Sequence, residues 1–470
     1  MKISIDPVTR IEGHAKISIF LDENGDVRDA QFHVTQYRGF EKLCEGRPFT
    51  EMPRLMARTC GICPVSHLIA ASKACDQIMA VRVPQAGINL RKMINFAQIL
   101  QSHALSFFYL SAPDILFGFD ADPALRNITG VAQQDKKLIQ FGIELRKFGQ
   151  QIIEKLGIKR VHPEYIIPGG VAYPINKEIA NWIMENIDIH LEKVFYGISL
   201  FKSVIPNFKD EIEHLVNFDT YHMALYNESN LELYDGILRV VDSKGNLIFE
   251  EKAHYNYKNI IGEKVESFSY LKSPYLKSFG YPDGIYRVGP LSRLNIVKNI
   301  GTPLANKELS EYRKLLGDVC NAGFMNHYAR LIEMIYCLEA IGKILKQDIT
   351  YNVHVKAVAS VNASEGVGIS EAPIGTLIHH YQVDKNGLIT NANLIIATGH
   401  NNLAMNRGVL QAAKRYVKKD DIKEGFLNRV EGLIRSFDPC LSCSTHAIGK
   451  IPFEIKVYDN NGIMIRKLIK

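Results

Sequence analysis

The sequence predicts an α+β protein that is mainly α, with a core bundle of long helices, an N-terminal β hairpin and β-rich peripheral segments. Apolar residues recur at steps of three and four from Leu90 to Phe107, which is the pattern of a helix with one face in a core. Alternating segments flank Asn24-Gly25, a dipeptide typical of hairpin turns. Residues 230–295 are rich in Tyr, Val, Ile and Gly, which favours a β-containing lobe.

Further segments continue the alternation of helix and strand. Helical patterns cover residues 133–156, 176–204, 307–346 and 403–417. Pro113 and Asp114 are expected to end the first long helix, and Asn176 has the side chain of an N-cap. A second β region, residues 370–399, pivots on Asn386-Gly387. No repeat, low-complexity run or linker divides the chain, so we expect one domain over residues 1–470.

Two cysteine pairs lie near opposite ends of the chain, in RTCGICPVSH (58–67) and DPCLSCSTH (438–446). Each pair has the i, i+3 spacing that lets two thiolates approach one soft cation from a turn or the first turn of a helix, where partial positive charge favours the thiolate. The four sulfurs belong to Cys60, Cys63, Cys440 and Cys443. They suit nickel, iron or zinc better than magnesium or calcium.

A structural zinc site and buried, inert thiols are the alternatives to this interpretation. Compact zinc modules place their two pairs within a few tens of residues, whereas these pairs are separated by nearly the whole chain. A site that closes such a span is expected at the centre of a large core, not in a local zinc module.

Length, composition and charge limit the classes of protein to which the chain can belong. A chain of 470 residues with 46% hydrophobic and 23% charged residues can bury a large core. The net charge of +6 is small and scattered, which gives nucleic-acid binding little support. The N-terminus lacks an apolar signal region, and no apolar stretch is long enough to span a membrane. We therefore expect a cytoplasmic protein whose eight cysteines remain reduced.

Six ordered motifs resemble one family, the large subunits of nickel-iron hydrogenases. They are the two cysteine motifs together with PVTRIEGH, YRGFEKLCEGRPF, RVGPLSRLN and EAPIGTLIHHY. The likeness runs from Pro7 to the C-terminus and is greatest to the soluble, bidirectional, NAD-reducing branch. The resemblance implies the large-subunit fold of that family and reversible, heterolytic cleavage of dihydrogen.

The resemblance also implies a ligand set. Nickel would be bound by the four cysteines, and Cys63 and Cys443 would bridge it to a low-spin iron carrying carbon monoxide and cyanide. The Cys440 thiolate would accept a proton and pass it to Glu12, although the sequence alone favours pairing of Glu12 with Arg10 or exposure to solvent. Other residues implied around the cofactor are Asp438 above it, His67 on a bridging sulfur, and Pro373 and Thr398 beside it.

A second metal and a processing step follow from the same resemblance. Glu41 and His446 would bind a magnesium or iron ion. Residues 447–470 would be a C-terminal extension that a maturation endopeptidase removes after chaperones have inserted nickel, although taken alone these residues form only a predicted hairpin around Asn461-Gly462. Hydrogen sensors of the resembled family typically lack such an extension, so the resemblance favours an enzyme over a sensor.

One position departs from the family pattern. In EAPIGT this chain has Ile374 where the family normally has an arginine that hangs over the open metal position. Isoleucine cannot donate hydrogen bonds, and loss of a charged donor in a dry site can cost orders of magnitude in rate. We expect a low-activity or engineered variant in which the metal site can still assemble.

Electrons must leave through other polypeptides. Beyond the two pairs the sequence has no cysteine cluster for an iron-sulfur relay, no GxGxxG for NAD and no flavin signature. The resemblance implies a small subunit with iron-sulfur clusters and flavin-containing diaphorase subunits with FMN. The alternatives are a related hydrogenase with another electron acceptor, or a non-catalytic scaffold or hydrogen sensor, which Ile374 would favour.

Overall fold

A computed structural model of the chain describes residues 1–228, 230–418, 422–445, 454–458 and 464–469. Its helices are α1 (Phe40–Cys44), α2 (Met52–Ala57), α3 (Pro64–Ile78), α4 (Gln85–Leu105), α5 (Ala112–Phe117), α6 (Ile128–Gln134), α7 (Lys136–Gly157), α8 (Lys177–Val204), α9 (Lys209–His214), α10 (Ala253–Ile260), α11 (Pro290–Ile296), α12 (Pro303–Leu316), α13 (Asn326–Leu345), α14 (Ala397–His400), α15 (Asn402–Tyr416), α16 (Glu424–Phe437) and α17 (Leu441–Ser444).

The strands form six small sheets within the described residues. They are β1 (Lys2–Ile5), β2 (Ala15–Leu21), β3 (Val27–Val34), β4 (Ile166–Ile167), β5 (Gly170–Val171), β6 (Tyr221–Asn227), β7 (Asn230–Leu231), β8 (Ile237–Val241), β9 (Leu247–Glu251), β10 (Ile261–Lys264), β11 (Ser273–Leu276), β12 (Tyr286–Arg287), β13 (Glu365–Ala372), β14 (Gly375–Val383), β15 (Ile389–Ile395), β16 (Glu454–Tyr458) and β17 (Met464–Ile469).

A bundle of long helices forms the core, as predicted. Helix α4 packs against α7 and α13, and α8 packs against α7 and α13. Asn176 caps α8, because its side-chain oxygen accepts the amide of Ile179 at 2.8 Å. The apolar stripe of α4 is buried along its whole length, from Leu90 to Ala104.

The predicted hairpins at the two Asn-Gly dipeptides are confirmed. Strands β2 and β3 pair antiparallel around Asn24-Gly25, and β14 and β15 pair around Asn386-Gly387. Both glycines have positive φ, 86° at Gly25 and 78° at Gly387, the backbone region in which a Cβ is strained. Strand β1 adds to the first hairpin in the order β1-β2-β3.

The β lobe contacts the later sheet through strand β6, which packs against β13 and β14. Strands β6, β8, β9 and β12 form one sheet with β7 attached, and β8 and β9 form an antiparallel hairpin within the sequence LRVVDSKGNLIFEE. The sheet β13-β14-β15 packs against α3. Almost every residue of β13 and β14 is buried, so this sheet is part of the core.

Several local expectations were wrong. Pro113 does not end the α4 helix; the chain passes through a π-helical turn at 106–110, and Pro113 then lies in the first turn of α5, where its missing N–H costs nothing. The helical pattern at 307–346 is interrupted between α12 and α13, which places Cys320 in the connecting loop. The β-containing lobe also ends in a helix, α11, and α16, which was not predicted, lies between α15 and the second cysteine motif.

No helix in the described ranges is long and apolar enough to cross a membrane. In the C-terminal extension, β16 and β17 pair antiparallel, in agreement with a hairpin, and the turn between them lies outside the described residues.

We predict that the free energy of unfolding falls as pH decreases below about 6.5. Burial lowers the pKa of five histidines, to about 4 for His103 and His190 and to about 3 for His222, His327 and His400. Below pH 6.5 the unfolded chain binds protons that these folded side chains do not, which favours unfolding by up to about 1.4 kcal/mol per histidine for each pH unit until the folded pKa is reached.

Urea unfolding of the chain at a series of pH values measures this slope. His190→Phe removes one of the five groups while keeping the aromatic ring, which stacks on Phe148 with centroids 4.0 Å apart. The variant should have a shallower slope between pH 6.5 and 4. A native curve that is flat over this range would contradict neutral burial of these histidines.

Candidate metal centre

The first cysteine pair lies in the loop between α2 and α3. Cys63 is the N-cap of α3, and its amide donates to Cys60 Sγ at 3.1 Å, as the Ile62 amide does at 3.3 Å. The side-chain amides of Gln98 and Gln101 on α4 both donate to the Ile62 carbonyl, at 2.6 and 2.8 Å. The core helix α4 therefore fixes the backbone that presents these two thiols.

The second pair follows the end of α16. Asp438 takes the left-handed conformation, with φ of 56°, and this turn ends the helix. Cys440 is the N-cap of the short helix α17, and its amide donates to Thr398 Oγ1 at 2.9 Å. Thr398, predicted to lie beside the cofactor, thus holds the backbone of a cysteine motif.

The fold brings the four thiols together. Their sulfur atoms all lie within 4.8 Å of one another, with 2.8 Å between Cys60 and Cys63 and 3.3 Å between Cys60 and Cys440. All four side chains are buried, at most 4% exposed. Within the described part of the chain this is the one His, Cys, Asp or Glu cluster of at least three ligand atoms with this spacing.

The donor set fits a soft, thiophilic metal. Burial alone raises the pKa of the Cys60 thiol, but hydrogen bonds from the other three thiols outweigh it, and the pKa ends well below its ordinary value. The other three thiols have pKa values well above the ordinary value. A hydrogen bond with Cys440 is the main cause for Cys63, and a hydrogen bond with Cys443 is the main cause for Cys440. For Cys443 the main cause is burial. A divalent cation would favour the thiolate form of all four. Four sulfurs without a carboxylate match nickel, iron or zinc and do not match calcium or magnesium.

Glu12 lies against the second cysteine motif. Its backbone forms a parallel bridge with Cys440, and its carbonyl accepts the amide of Leu441 at 3.2 Å. The Glu12 carboxylate accepts the Ser442 amide at 3.0 Å and the Ser442 hydroxyl. Gln36 in turn donates to that hydroxyl at 2.9 Å. The structure thus places Glu12 beside the cysteines, as the resemblance implied.

Arg10 does not pair with Glu12, which had been the alternative interpretation. Its guanidinium donates to Asp114 at 2.5 Å and to the Leu110 carbonyl at 2.7 Å. Asp114 also accepts Arg126 and Arg435, both at 2.6 Å. Burial alone raises the pKa of Asp114, but the surrounding arginines lower it below its ordinary value. This buried ion cluster anchors the loop that carries Glu12.

Ile374 occupies the turn between β13 and β14 and is 8% exposed. It belongs to the same contiguous cluster of buried residues as the four cysteines. The Arg293 guanidinium holds this turn, donating to the carbonyls of Ala372 and Pro373, both at 3.0 Å. Pro373 is thus fixed through its backbone, and no charged side chain stands at position 374.

Arg293 is itself held by two buried carboxylates. It forms two hydrogen bonds with Glu333, both 2.6 Å, and one with Glu371 at 2.8 Å. Burial alone raises the pKa of Glu333, but Arg293 outweighs it and the pKa falls to about 2. His103 also contacts Glu333, at 2.8 Å, and belongs to the buried core.

Asp438 and His67 complete the predicted surroundings of the cysteines. Asp438 is half-buried, and burial raises its pKa to about 6 against the opposing charge of Arg330. His67 lies one turn after Cys63 on α3 and is buried. Both residues therefore lie where they can influence the sulfur cluster.

The predicted second metal site is only partly described. Glu41 on α1 accepts the amide of Leu394 at 2.9 Å, and the Lys272 ammonium lies 3.6 Å from Glu41 and 3.2 Å from Glu263. The amides of Arg38 and Gly39 donate to the Thr445 carbonyl, which brings α1 next to the end of the second motif. His446 lies outside the described residues, so its role stays a prediction.

Sequence reasoning missed several residues around the centre. Arg293 and Glu371 stand inside motifs that had been singled out, RVGPLSRLN and EAPIGTLIHHY, but received no role. Ser442 likewise stands inside DPCLSCSTH and received no role, and Glu333 carried no local signal. A pairing between a buried arginine and carboxylates 40 and 78 residues away cannot be recognised from spacing.

Comparisons with known proteins agree with this geometry. A family model described as nickel-dependent hydrogenase matches residues 38–133 and 208–446, and a model described as HoxL-like matches residues 2–37. A solved structure of an NAD+-reducing [NiFe]-hydrogenase in the H2-reduced state superposes with a TM-score of 0.91 at 39% identity. That alignment covers 95% of this chain and 99% of the other.

Two curated relatives cover the whole chain. A component of the F420-non-reducing hydrogenase vhc from Methanococcus voltae is 40% identical over 100% of this chain and 99% of its own length. The beta subunit of the NAD-reducing hydrogenase HoxS from Cupriavidus necator is 37% identical over 99% of this chain and 98% of its own.

The four buried thiols and the matching family model together define a thiolate-ligated metalloprotein of the nickel-dependent class. Within that class, the chain belongs to the large-subunit family of nickel-iron hydrogenases.

We predict that Cys443→Ala lowers nickel to about a tenth or less of the native content, because it removes one of four thiolates from a buried site. Nickel per chain, measured by atomic emission on protein from a nickel-replete host, tests this. Cys337→Ala is the matched control, since Cys337 is buried on α13 outside the cluster. Native nickel content in Cys443→Ala would contradict the ligand assignment.

Proposed function

We propose that this chain is the catalytic large subunit of a cytoplasmic hydrogenase that reversibly cleaves dihydrogen and passes electrons through an iron-sulfur small subunit to NAD. The observation that carries the proposal is the convergence of four buried thiols within 4.8 Å beside Glu12. The eight unpaired cysteines support a reducing compartment.

The residues present fit a nickel-iron centre. Cys60, Cys63, Cys440 and Cys443 would hold nickel, and Cys63 and Cys443 would share it with an iron that carries carbon monoxide and cyanide. When bound, this group supplies the Lewis acidity and electron-accepting capacity that heterolytic cleavage of dihydrogen requires. The protein supplies a dry, fixed cage of sulfur atoms.

Side chains of this protein accept the proton and pass it on. We assign proton acceptance to Cys440 Sγ, because Glu12 is bridged to the same residue and can take the proton onward. The Ser442 amide and hydroxyl orient the Glu12 carboxylate, and Gln36 holds that hydroxyl near the surface. Asp438, whose pKa is raised to about 6 by burial, provides a second carboxyl group beside the site.

The electron acceptor is assigned to NAD because the structural relative at a TM-score of 0.91 is an NAD+-reducing enzyme. Flavin-containing diaphorase subunits with FMN would then complete the complex. The F420-non-reducing relatives favour a second candidate, a hydrogenase of the same large-subunit family with another acceptor. Ile374 favours a third, a non-catalytic scaffold or hydrogen sensor.

Maturation and a second metal form part of the proposal. Glu41 would bind magnesium or iron with His446, and its position beside Thr445 supports this assignment. Nickel-insertion chaperones would load the centre, after which an endopeptidase would remove residues 447–470.

We predict dihydrogen-deuterium exchange by the purified complex, and a loss of about 10²- to 10⁴-fold in Glu12→Gln. Glutamine can accept the Ser442 amide but cannot carry a proton onward. Exchange needs no electron acceptor, so it tests the centre itself, and nickel is measured in the same sample. The exposed Glu185→Gln on α8 serves as the control.

The outcomes separate the candidates. Exchange together with dihydrogen-dependent reduction of NAD supports the proposal, whereas exchange without NAD reduction favours another acceptor. A nickel-replete complex without exchange would contradict the catalytic assignment and favour the scaffold or sensor.

We predict that Ile374→Arg raises the exchange rate per nickel by about tenfold or more, because a guanidinium at this buried turn restores a hydrogen-bond donor facing the centre. Ile374→Met, which adds length without charge, should give no increase. An unchanged rate in Ile374→Arg at equal nickel content would show that the missing arginine does not limit turnover.

A further inference from the structure

Three buried side chains form a chain of hydrogen bonds behind the cysteines. His67 Nδ1 lies 3.2 Å from His379 Nε2, and His379 Nδ1 lies 2.7 Å from the Tyr381 hydroxyl. The three side chains are at most 1% exposed. His379 and Tyr381 stand two residues apart on β14, so they share one face of the strand.

The neighbouring residue His380 faces the other way. It contacts the Tyr257 hydroxyl at 2.8 Å and Glu365 at 3.0 Å. Because successive side chains of a strand point to opposite faces, the HHY sequence takes part in two separate hydrogen-bonded groups. His379 and Tyr381 belong to the group that includes His67, and His380 belongs to the other.

The Tyr381 hydroxyl sets the direction of the chain of hydrogen bonds. Burial raises the pKa of Tyr381 well above its ordinary value, so the hydroxyl keeps its proton. Across the described ranges, the hydrogen-bonding partner found for this hydroxyl is His379 Nδ1. The hydroxyl therefore donates to Nδ1, because the opposite direction would leave a buried donor unsatisfied at a cost of about 1–3 kcal/mol.

The tautomers of both histidines follow from this donation. A neutral imidazole has one N–H and one acceptor nitrogen. His379 accepts at Nδ1, so its proton is on Nε2 and is donated to His67 Nδ1. His67 then also accepts at Nδ1, and its own proton is on Nε2.

Nε2 is the ring nitrogen of His67 that does not contact His379, so its N–H points away from His379. His67 lies one helical turn after Cys63 on α3 and is buried. An N–H donor at a metal-bound sulfur withdraws electron density from it, and loss of such outer hydrogen bonds typically costs 10- to 100-fold in metal affinity or activity.

We propose that His379 and Tyr381 are positioning residues that fix the tautomer of His67, so that its Nε2–H is presented to the sulfur cluster. The catalytic consequence rests on the proposed function. The tautomer itself does not, because it follows from contacts within this chain.

Nitrogen NMR on the full-length chain, labelled at its histidines, tests the tautomer directly. The signal of His67 is identified among the 15 histidines by its loss in His67→Asn. We expect the proton on Nε2 in the native chain and a shift of population to the Nδ1–H form in Tyr381→Phe. A native His67 protonated at Nδ1, or a Tyr381→Phe spectrum with the native tautomer, would overturn the proposal.

Tyr286→Phe is the matched control. Tyr286 is also fully buried, and its hydroxyl hydrogen-bonds to a histidine, His400, on a different element. Its replacement removes the same group from the core and should leave the His67 signal unchanged. A change of the His67 tautomer in Tyr286→Phe would attribute the effect to general loosening of the core and overturn the proposal.

A rescue variant separates positioning from packing. In the Tyr381→Phe background, His379→Gln places an amide that can donate to His67 Nδ1 without help from residue 381. This double variant should restore the Nε2–H form of His67. If it retains the altered tautomer of Tyr381→Phe, the proposed polarity is wrong.

The assembled complex gives the catalytic readout. We expect the exchange rate per nickel to fall by about tenfold in Tyr381→Phe, to recover with His379→Gln, and to stay native in Tyr286→Phe. Absence of exchange in the native complex would be a failure of the proposed function and would leave the NMR result as the test of the tautomer. A native rate in Tyr381→Phe with an altered tautomer would overturn the link to catalysis.

Discussion

The contact between Cys60 and Cys440 is the constraint on which the rest of the structure depends. Their sulfur atoms lie 3.3 Å apart although 380 positions separate them in the chain. Closing so long a loop has an entropic cost, and the surrounding core must be complete for the contact to form. Metal binding to such a site contributes directly to the stability of the folded state, because the unfolded chain does not contain the preformed cage.

Buried arginines stabilise the loops around this contact. Arg293 fixes the turn that carries Ile374, and Arg435 and Arg10 converge on Asp114 beneath the loop that carries Glu12. A buried charge is costly unless it is paired, so each of these arginines requires its carboxylates in one arrangement. The polar networks therefore position backbone segments that an apolar core alone would leave less strictly defined.

The sequence was informative where local chemistry determines structure. The i, i+3 spacing of cysteines identified the centre, the Asn-Gly dipeptides identified two hairpins, and Asn176 identified the start of α8. It was misleading where one residue type suits two positions, because proline both interrupts a helix and is favoured in the first turn of one. Pro113, a helix breaker by propensity, opens a short helix after a π-helical turn. The networks of Arg293 and Asp114 could not be predicted, because their partners are distant in the chain.

The distance between the two cysteine motifs has a consequence for synthesis on the ribosome. Cys60 and Cys63 are made about 380 residues before Cys440, which at roughly 5–20 residues per second corresponds to about 20 to 80 s. During that time the first pair of thiols exists without the second and is open to oxidation or to capture of an unwanted metal. The first pair of thiols therefore has to wait for the rest of the chain, and only contacts made by the earlier helices, such as those of Gln98 and Gln101 with the Ile62 carbonyl, can fix its backbone in that interval.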